Sequence, residues 1–175
     1  MGMMHKQAFP PAAQSGFTMI EVLIAVLVLS IGLLGLAGLQ AASLHNNHSA
    51  YLRSQATLLA YGIADRMRAN QAEVTGGAGY QMAAYSVPAA VSACNSSGCS
   101  PANMAQNDLY EWETTLAREL PNGKGVVCLD STPDDGTPAA PACSGGGDVY
   151  AIKIWWTDSR DPAAPPQLFA TAFRP

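Results

Sequence analysis

Between Glu21 and Arg53 the chain carries no formally charged side chain, and from Val22 to Leu39 the only polar one is Ser30. Coiled as a helix at about 1.5 Å per residue, this run reaches about 27 Å, close to the roughly 30 Å of a hydrocarbon core. So apolar a surface must be covered by lipid or by other apolar helices. A secretory signal has a shorter apolar core, and its processing site follows that core. Here the residues that look like a processing site, Gly16, Phe17, Thr18, Met19, Ile20 and Glu21, come before it. A lone carboxylate at the mouth of the run is expensive inside lipid, unless it sits at headgroup level beside the positive end of a helix dipole or meets a counter-charge.

Composition sharpens the contrast between this run and the rest of the chain. Hydrophobic residues make up 49% of the 175 and charged ones only 13%, the latter about half the usual globular share. A net charge of −4 leaves no basic surface for nucleic acid.

Beyond Leu39 the helical period continues with a narrower apolar stripe. Leu52, Ala56, Leu59, Ile63 and Met67 step by three or four residues and share one face, which is expected to pack on a globular head. A continuous helix from Phe17 to about Asn70 would be roughly 80 Å long. His45 and His48 could share a face, but no third ligand lies nearby, so no metal site is expected. The stretch 71–107 is rich in Gly, Ala, Ser and Asn and contains Pro88, which predicts a long connection. Asp108 and Glu111 have capping-box spacing, and Leu109, Trp112, Leu116 and Leu120 predict a short second helix ended by Pro121-Asn122-Gly123. Three strands are predicted at 125–130, 149–157 and 167–173. Their Pro- and Gly-rich connections exclude helical crossovers, so the sheet should be an antiparallel meander.

The string G-F-T-M-I-E-V-L-I-A, residues 16–25, resembles the class III signal of type IV prepilins and pseudopilins. The resemblance implies cleavage by a prepilin peptidase between Gly16 and Phe17, methylation of the new Phe17 amine, and a role for Glu21 as the partner of a neighbouring subunit's N-terminus. The leader carries only Lys6 and His5 where the family's leaders are usually basic. A-D-R-M-R-A-N at 64–70 and D-L-Y-E-W at 108–112 are similar to PilV-type minor pilins. For Arg66 and Arg68, a solvated last helical turn is expected. Gly32, Gly35 and Gly38 recur every third residue, and by this resemblance they mark where the helix loosens during assembly.

The resemblance implies an α+β pilin fold: leader 1–16, helical spine 17–70 with its membrane half at 17–39, variable loop 71–107, and a helix and antiparallel sheet over 108–175. The head would face the bacterial periplasm from a single inner-membrane span and later join the pilus at the cell surface. Disulfides persist in that compartment. Of the three possible pairings, the local one, Cys94 with Cys99 and Cys128 with Cys143, is expected to tether the loops.

The head contains no histidine, no G-x-S-x-G and no phosphate-binding loop, and Asp134-Asp135 lies in a Pro/Gly loop. Neither catalysis nor a cofactor is expected. The expected function is that of a minor pilin in pilus initiation and assembly. Its partners would be other minor pilins, the major pilin, the prepilin peptidase and the inner-membrane assembly platform. A type II secretion pseudopilin and an adhesive tip module are the competing readings.

Overall fold

The computed structural model describes residues 16–159 and 163–174. The leader, except Gly16, lies outside them. The chain divides into two compact units, Met1–His45 and Asn46–Pro175. In order, the elements are α1 (Met19–Ala69), α2 (Gln71–Gly76), a 3-10 turn (Ser92–Asn95), α3 (Pro101–Glu119), β1 (Lys124–Leu129), β2 (Tyr150–Trp156) and β3 (Gln167–Phe173). The architecture is α+β and pilin-like: a long N-terminal helix followed by a small three-stranded antiparallel sheet.

In the first unit, α1 starts where Thr18 caps it. Both the hydroxyl and the carbonyl of Thr18 accept from the Glu21 N–H, at 3.3 and 3.1 Å. Thr-x-x-Glu is half of a capping box, so the T and E of the processing string also set the start of the helix. No proline interrupts the 51 residues of α1.

In the second unit the same helix buries Leu52, Ala56, Ala60, Ile63, Ala64 and Met67, with Leu59 half-buried beside them. Ala56, Ala60 and Ala64 make up the small side chains of that buried face. The strand order is β1-β2-β3, both pairs antiparallel. Every residue of β2 is buried, because one face meets the helices and the other is covered by the connection 131–147. Tyr150 marks the helix side, donating its hydroxyl to Val74 O at 3.1 Å. Ile152, Ile154 and Trp156 share that side by alternation, while Ala151, Lys153 and Trp155 share the other, where Lys153 meets the connection.

The segment 71–107 is less of a loop than its composition predicts. It holds α2, the 3-10 turn and the first seven residues of α3. That helix starts at Ser100-Pro101 and not at Asp108. The Ser100 hydroxyl accepts from the Asn103 N–H at 3.3 Å, and Pro101 occupies the first helical position, where its missing N–H costs nothing. Asp108 sits mid-helix and points its carboxylate at another element.

Helix α3 carries Trp112 against α1 and β1. Its indole N–H donates to Leu59 O at 3.0 Å, and its ring lies where a side chain at position 125 would project, so only glycine fits there. One residue later Glu113 is only 1% exposed, and both its oxygens face the Gly125 N–H at 3.1 and 3.3 Å. Burial pushes this carboxyl up to about 8, against a single backbone donor that lowers it. The folded state therefore keeps a proton that the unfolded chain releases near 4.5. Stability should fall as pH rises between those values. Urea midpoints of the full chain in detergent, taken from about pH 5 to pH 8, should decline for the wild type and stay nearly level for Glu113→Gln. Parallel curves would contradict this account.

Candidate functional site

The residues expected to carry processing and assembly lie together at the start of the first unit. Gly16, Phe17 and Thr18 precede α1. The peptide bond between Gly16 and Phe17 thus lies in non-helical backbone, with Phe17 84% exposed and open space around Gly16. Glu21 follows in the first helical turn, also exposed. Its carboxylate has no ion-pair partner among the described residues, and the positive end of the helix dipole favours its charge.

From Val22 to Leu39 every side chain is exposed, and the large apolar ones each keep more than half their surface open. Ser30, the one polar residue, satisfies itself by donating to Val26 O at 2.7 Å. The surface of this stretch therefore offers no side-chain polar group in search of a partner. By length and composition the helix can cross a membrane, with a mean hydropathy of 2.8 in its most apolar window. Gly32, Gly35 and Gly38 leave notches with no atom near where a Cβ would stand.

The motifs at 64–70 and 108–112 bind each other in the head. Arg66 of A-D-R-M-R-A-N donates from Nη1 to Asp108 Oδ1 at 3.1 Å and to Glu111 Oε2 at 2.7 Å. Tyr80 donates its hydroxyl to the other Asp108 oxygen at 2.6 Å, and Asn70 reaches Tyr80 Oη and Pro101 O at 3.3 and 2.8 Å. Asn107 accepts from the Val91 N–H at 3.0 Å and donates to Glu111 Oε1 at 3.1 Å. Arg66 is thus a cross-link between α1 and α3, which corrects the expectation of a solvated last turn. Arg68 is nearer to that expectation: it is exposed and pairs with Asp65 three residues back, although its guanidinium also lies 4.9 Å over the Phe173 ring. The Arg66 guanidinium holds the Glu111 carboxyl below its usual range, against its partial burial. Burial, and then the bond to Asp108, raise the Tyr80 phenol.

Both local disulfides are present, Cys94–Cys99 with Cα atoms 4.8 Å apart and Cys128–Cys143 at 6.1 Å. The second closes the 131–147 connection over the outer face of the sheet. Beneath it lies Lys153, which the sequence reading overlooked. Its side chain is fully buried, with Nζ 2.7 Å from Asp130 Oδ2 and 2.7 Å from Asp135 Oδ1. It also donates to the carbonyls of Pro141 at 2.7 Å and Asp135 at 3.2 Å. Burial alone would raise the Asp130 carboxyl. The ammonium and the N–H groups of Thr132 and Ser144 overturn that and bring it down to about 2. Of the adjacent Asp134-Asp135 pair, the Asp135 carboxylate is thus engaged by a protein cation. A signal for this site was available: Lys153 is the one charged residue of a strand that is otherwise apolar on both faces, and a buried cation needs counter-charges.

Residues 11–37 match the family model of the prokaryotic N-terminal methylation motif, and residues 38–110 match that of the type IV pilin Tt1218. The two matches abut. The second includes the 71–107 stretch and stops before the sheet. No curated protein and no solved structure matches the chain significantly.

The Arg66 cluster generates a test. Asp108→Ala strips partners from both Arg66 and the buried Tyr80 hydroxyl, and should cost about 1–3 kcal/mol. Glu111→Ala removes a more exposed partner of Arg66 and should cost less than about 1 kcal/mol. Denaturant unfolding of the two variants beside the wild type measures both, and a larger loss for Glu111→Ala would refute the ranking.

Proposed function

We propose that the chain is a type IV pilin processed at its N-terminal methylation motif, and that it acts as a minor pilin of the PilV type, a non-catalytic subunit that helps start and build the pilus; the two family-model matches support the pilin assignment. The observation that carries this reading is the first unit itself. A processing string with an exposed carboxylate in the first helical turn is followed by eighteen exposed residues without a charge. The likeness of residues 64–70 and 108–112 to PilV-type sequences supports the minor-pilin role.

The mechanism follows from the chemistry of these residues. A prepilin peptidase removes residues 1–16 and methylates the Phe17 amine. Residues 17–39 hold the chain as a single span in the bacterial inner membrane, with the head of residues 71–175 in the periplasm. In assembly the apolar helices leave lipid for one another. The exchange replaces apolar contact by apolar contact and so specifies no register. Glu21 supplies one, by meeting the N-terminal amine of a neighbouring subunit in low dielectric, where an unmatched charge is far costlier than a matched one. Gly32, Gly35 and Gly38 weaken the helix by about 1 kcal/mol each relative to alanine, and so let it loosen as it moves from lipid to filament. The partners are other minor pilins, the major pilin, the peptidase and the inner-membrane assembly platform.

Two measurements test the reading. The mature protein from its own host's membrane and sheared-surface fractions should begin at methylated Phe17 by sequence and intact mass; a chain retaining residues 1–16 would point instead to a signal anchor that never polymerises. Glu21→Ala should be processed normally yet be depleted from sheared pili, and wild-type incorporation of this variant would remove the carboxylate from the assembly step.

A further inference from the structure

The connection between β1 and β2, residues 131–147, is a strap, and its fastening is uneven. The mid-strap groups that turn inward do so towards one atom, the Lys153 ammonium, which takes the Asp135 carboxylate and the carbonyls of Asp135 and Pro141. The ammonium's remaining charge contact, Asp130, lies at the strap's root. Two residues beyond Pro141 the strap is bolted to β1 by Cys143–Cys128. Between these two fastenings sits Ala142, with φ at 56°, a left-handed conformation that an alanine adopts only under constraint. Gly136 is also left-handed, and a side chain there would strike the Pro141 carbonyl. The outward parts of the strap, Ser131–Asp135 and Pro138–Ala140, are exposed or half-exposed.

We propose that the Cys128–Cys143 bridge is a redox latch: oxidised, it keeps the strap over Lys153; reduced, it lets the strap lift and opens the outer face of the sheet to solvent. A buried ammonium is tolerated only while its counter-groups stay in place. Three of those groups belong to a Pro- and Gly-rich segment whose order depends on a closed loop. Opening the loop frees Ala142 to return to ordinary backbone angles, which moves the Pro141 carbonyl away. Lys153 then gains more by hydration than by waiting for its partners.

The reductant is a dithiol, such as the active site of a thiol–disulfide oxidoreductase. Its thiolate attacks the half-exposed Cys143 sulfur, because Cys128 is buried. A mixed disulfide forms on Cys143, the Cys128 thiolate leaves and takes a proton, and the second thiol of the reductant then displaces Cys143 as a thiol. Two electrons and two protons pass to the bridge, and the reductant leaves as its own disulfide. Cys94–Cys99 spans an exposed turn with no link to Lys153, and its state should not matter.

The chain holds three lysines, Lys6, Lys124 and Lys153, so amine acylation read by peptide mass spectrometry reports the strap directly. In the oxidised full chain in detergent, Lys153 should be acylated about tenfold or more slowly than the half-exposed Lys124, and reduction with dithiothreitol should bring the two within a few-fold, as expected of a local opening. Near-UV circular dichroism of the tryptophans should be largely retained, and Cys94→Ser with Cys99→Ser should leave Lys153 protected. Alkylation masses verify that the thiols are free. Lys153 still protected with both thiols free would overturn the latch. So would exposure that comes only with loss of the tryptophan signal, since the bridge would then be a general staple of the fold. The same labelling on Cys128→Ser with Cys143→Ser should match the reduced wild type.

Discussion

Arg66 holds the head together at the point where its two long helices meet. A cation near the end of α1 reaches two carboxylates on successive turns of α3, and one of those carboxylates also receives the hydroxyl of Tyr80. The cluster fixes α3 in rotation and in register along α1, and the consequences follow in sequence. Trp112, one residue beyond Glu111, is turned towards Leu59. Its ring then dictates a glycine at position 125, the second residue of β1, which pairs with Ile154 of β2. Exposed ion pairs contribute little, but this one shares Asp108 with a buried phenol and ties four segments through Asn70 and Asn107. Its value lies in specifying geometry.

The head solves the problem of buried ionisable groups in two ways. Glu113 is given one backbone donor and no cation, so it stays protonated near neutrality and behaves as a neutral wedge between α3 and β1. Lys153 is given two carboxylates and two carbonyls, so it stays charged. The first arrangement tightens as pH falls. As pH falls, the second persists until Asp130 takes up a proton, well below its usual range. A fully buried β2 is the result: a strand covered on one face by helices and on the other by a strap that a single cation draws inwards.

Much of this was legible in the sequence, for identifiable reasons. The uncharged run, the stripe on α1 and the three strands stand out because hydrophobic period is the strongest local signal, and the observed strands lie within a residue of the predicted ends. The start of α3 was misplaced because a Gly- and Ala-rich stretch looks irregular. Asp108-x-x-Glu111 also imitates a cap, whereas Ser100-Pro101 is the stronger start. Tertiary pairing was not legible. Arg66 and Asp108 are 42 residues apart, and nothing local says that one motif is the counter-charge of the other. Lys153 was visible as an oddity in its strand, but its partners come from a connection with no regular structure.

The division of polar chemistry between the two units bears on function. In the head, buried charges are matched internally and the long connection is tied down at both ends. In Gly16–Leu39 the reverse holds: every side chain is exposed, Ser30 is satisfied by its own helix, and Glu21 alone has a charge without a partner among the described residues. Apolar surface can be covered equally well by lipid or by a neighbouring helix, and it does not discriminate between them. In the role proposed above a single carboxylate would do so, because lipid offers no cation at that depth and a processed neighbour would offer one at its N-terminus. Under the proposed function, selectivity for assembly over residence in the membrane would be concentrated in one residue, set in the first turn by the threonine that caps the helix.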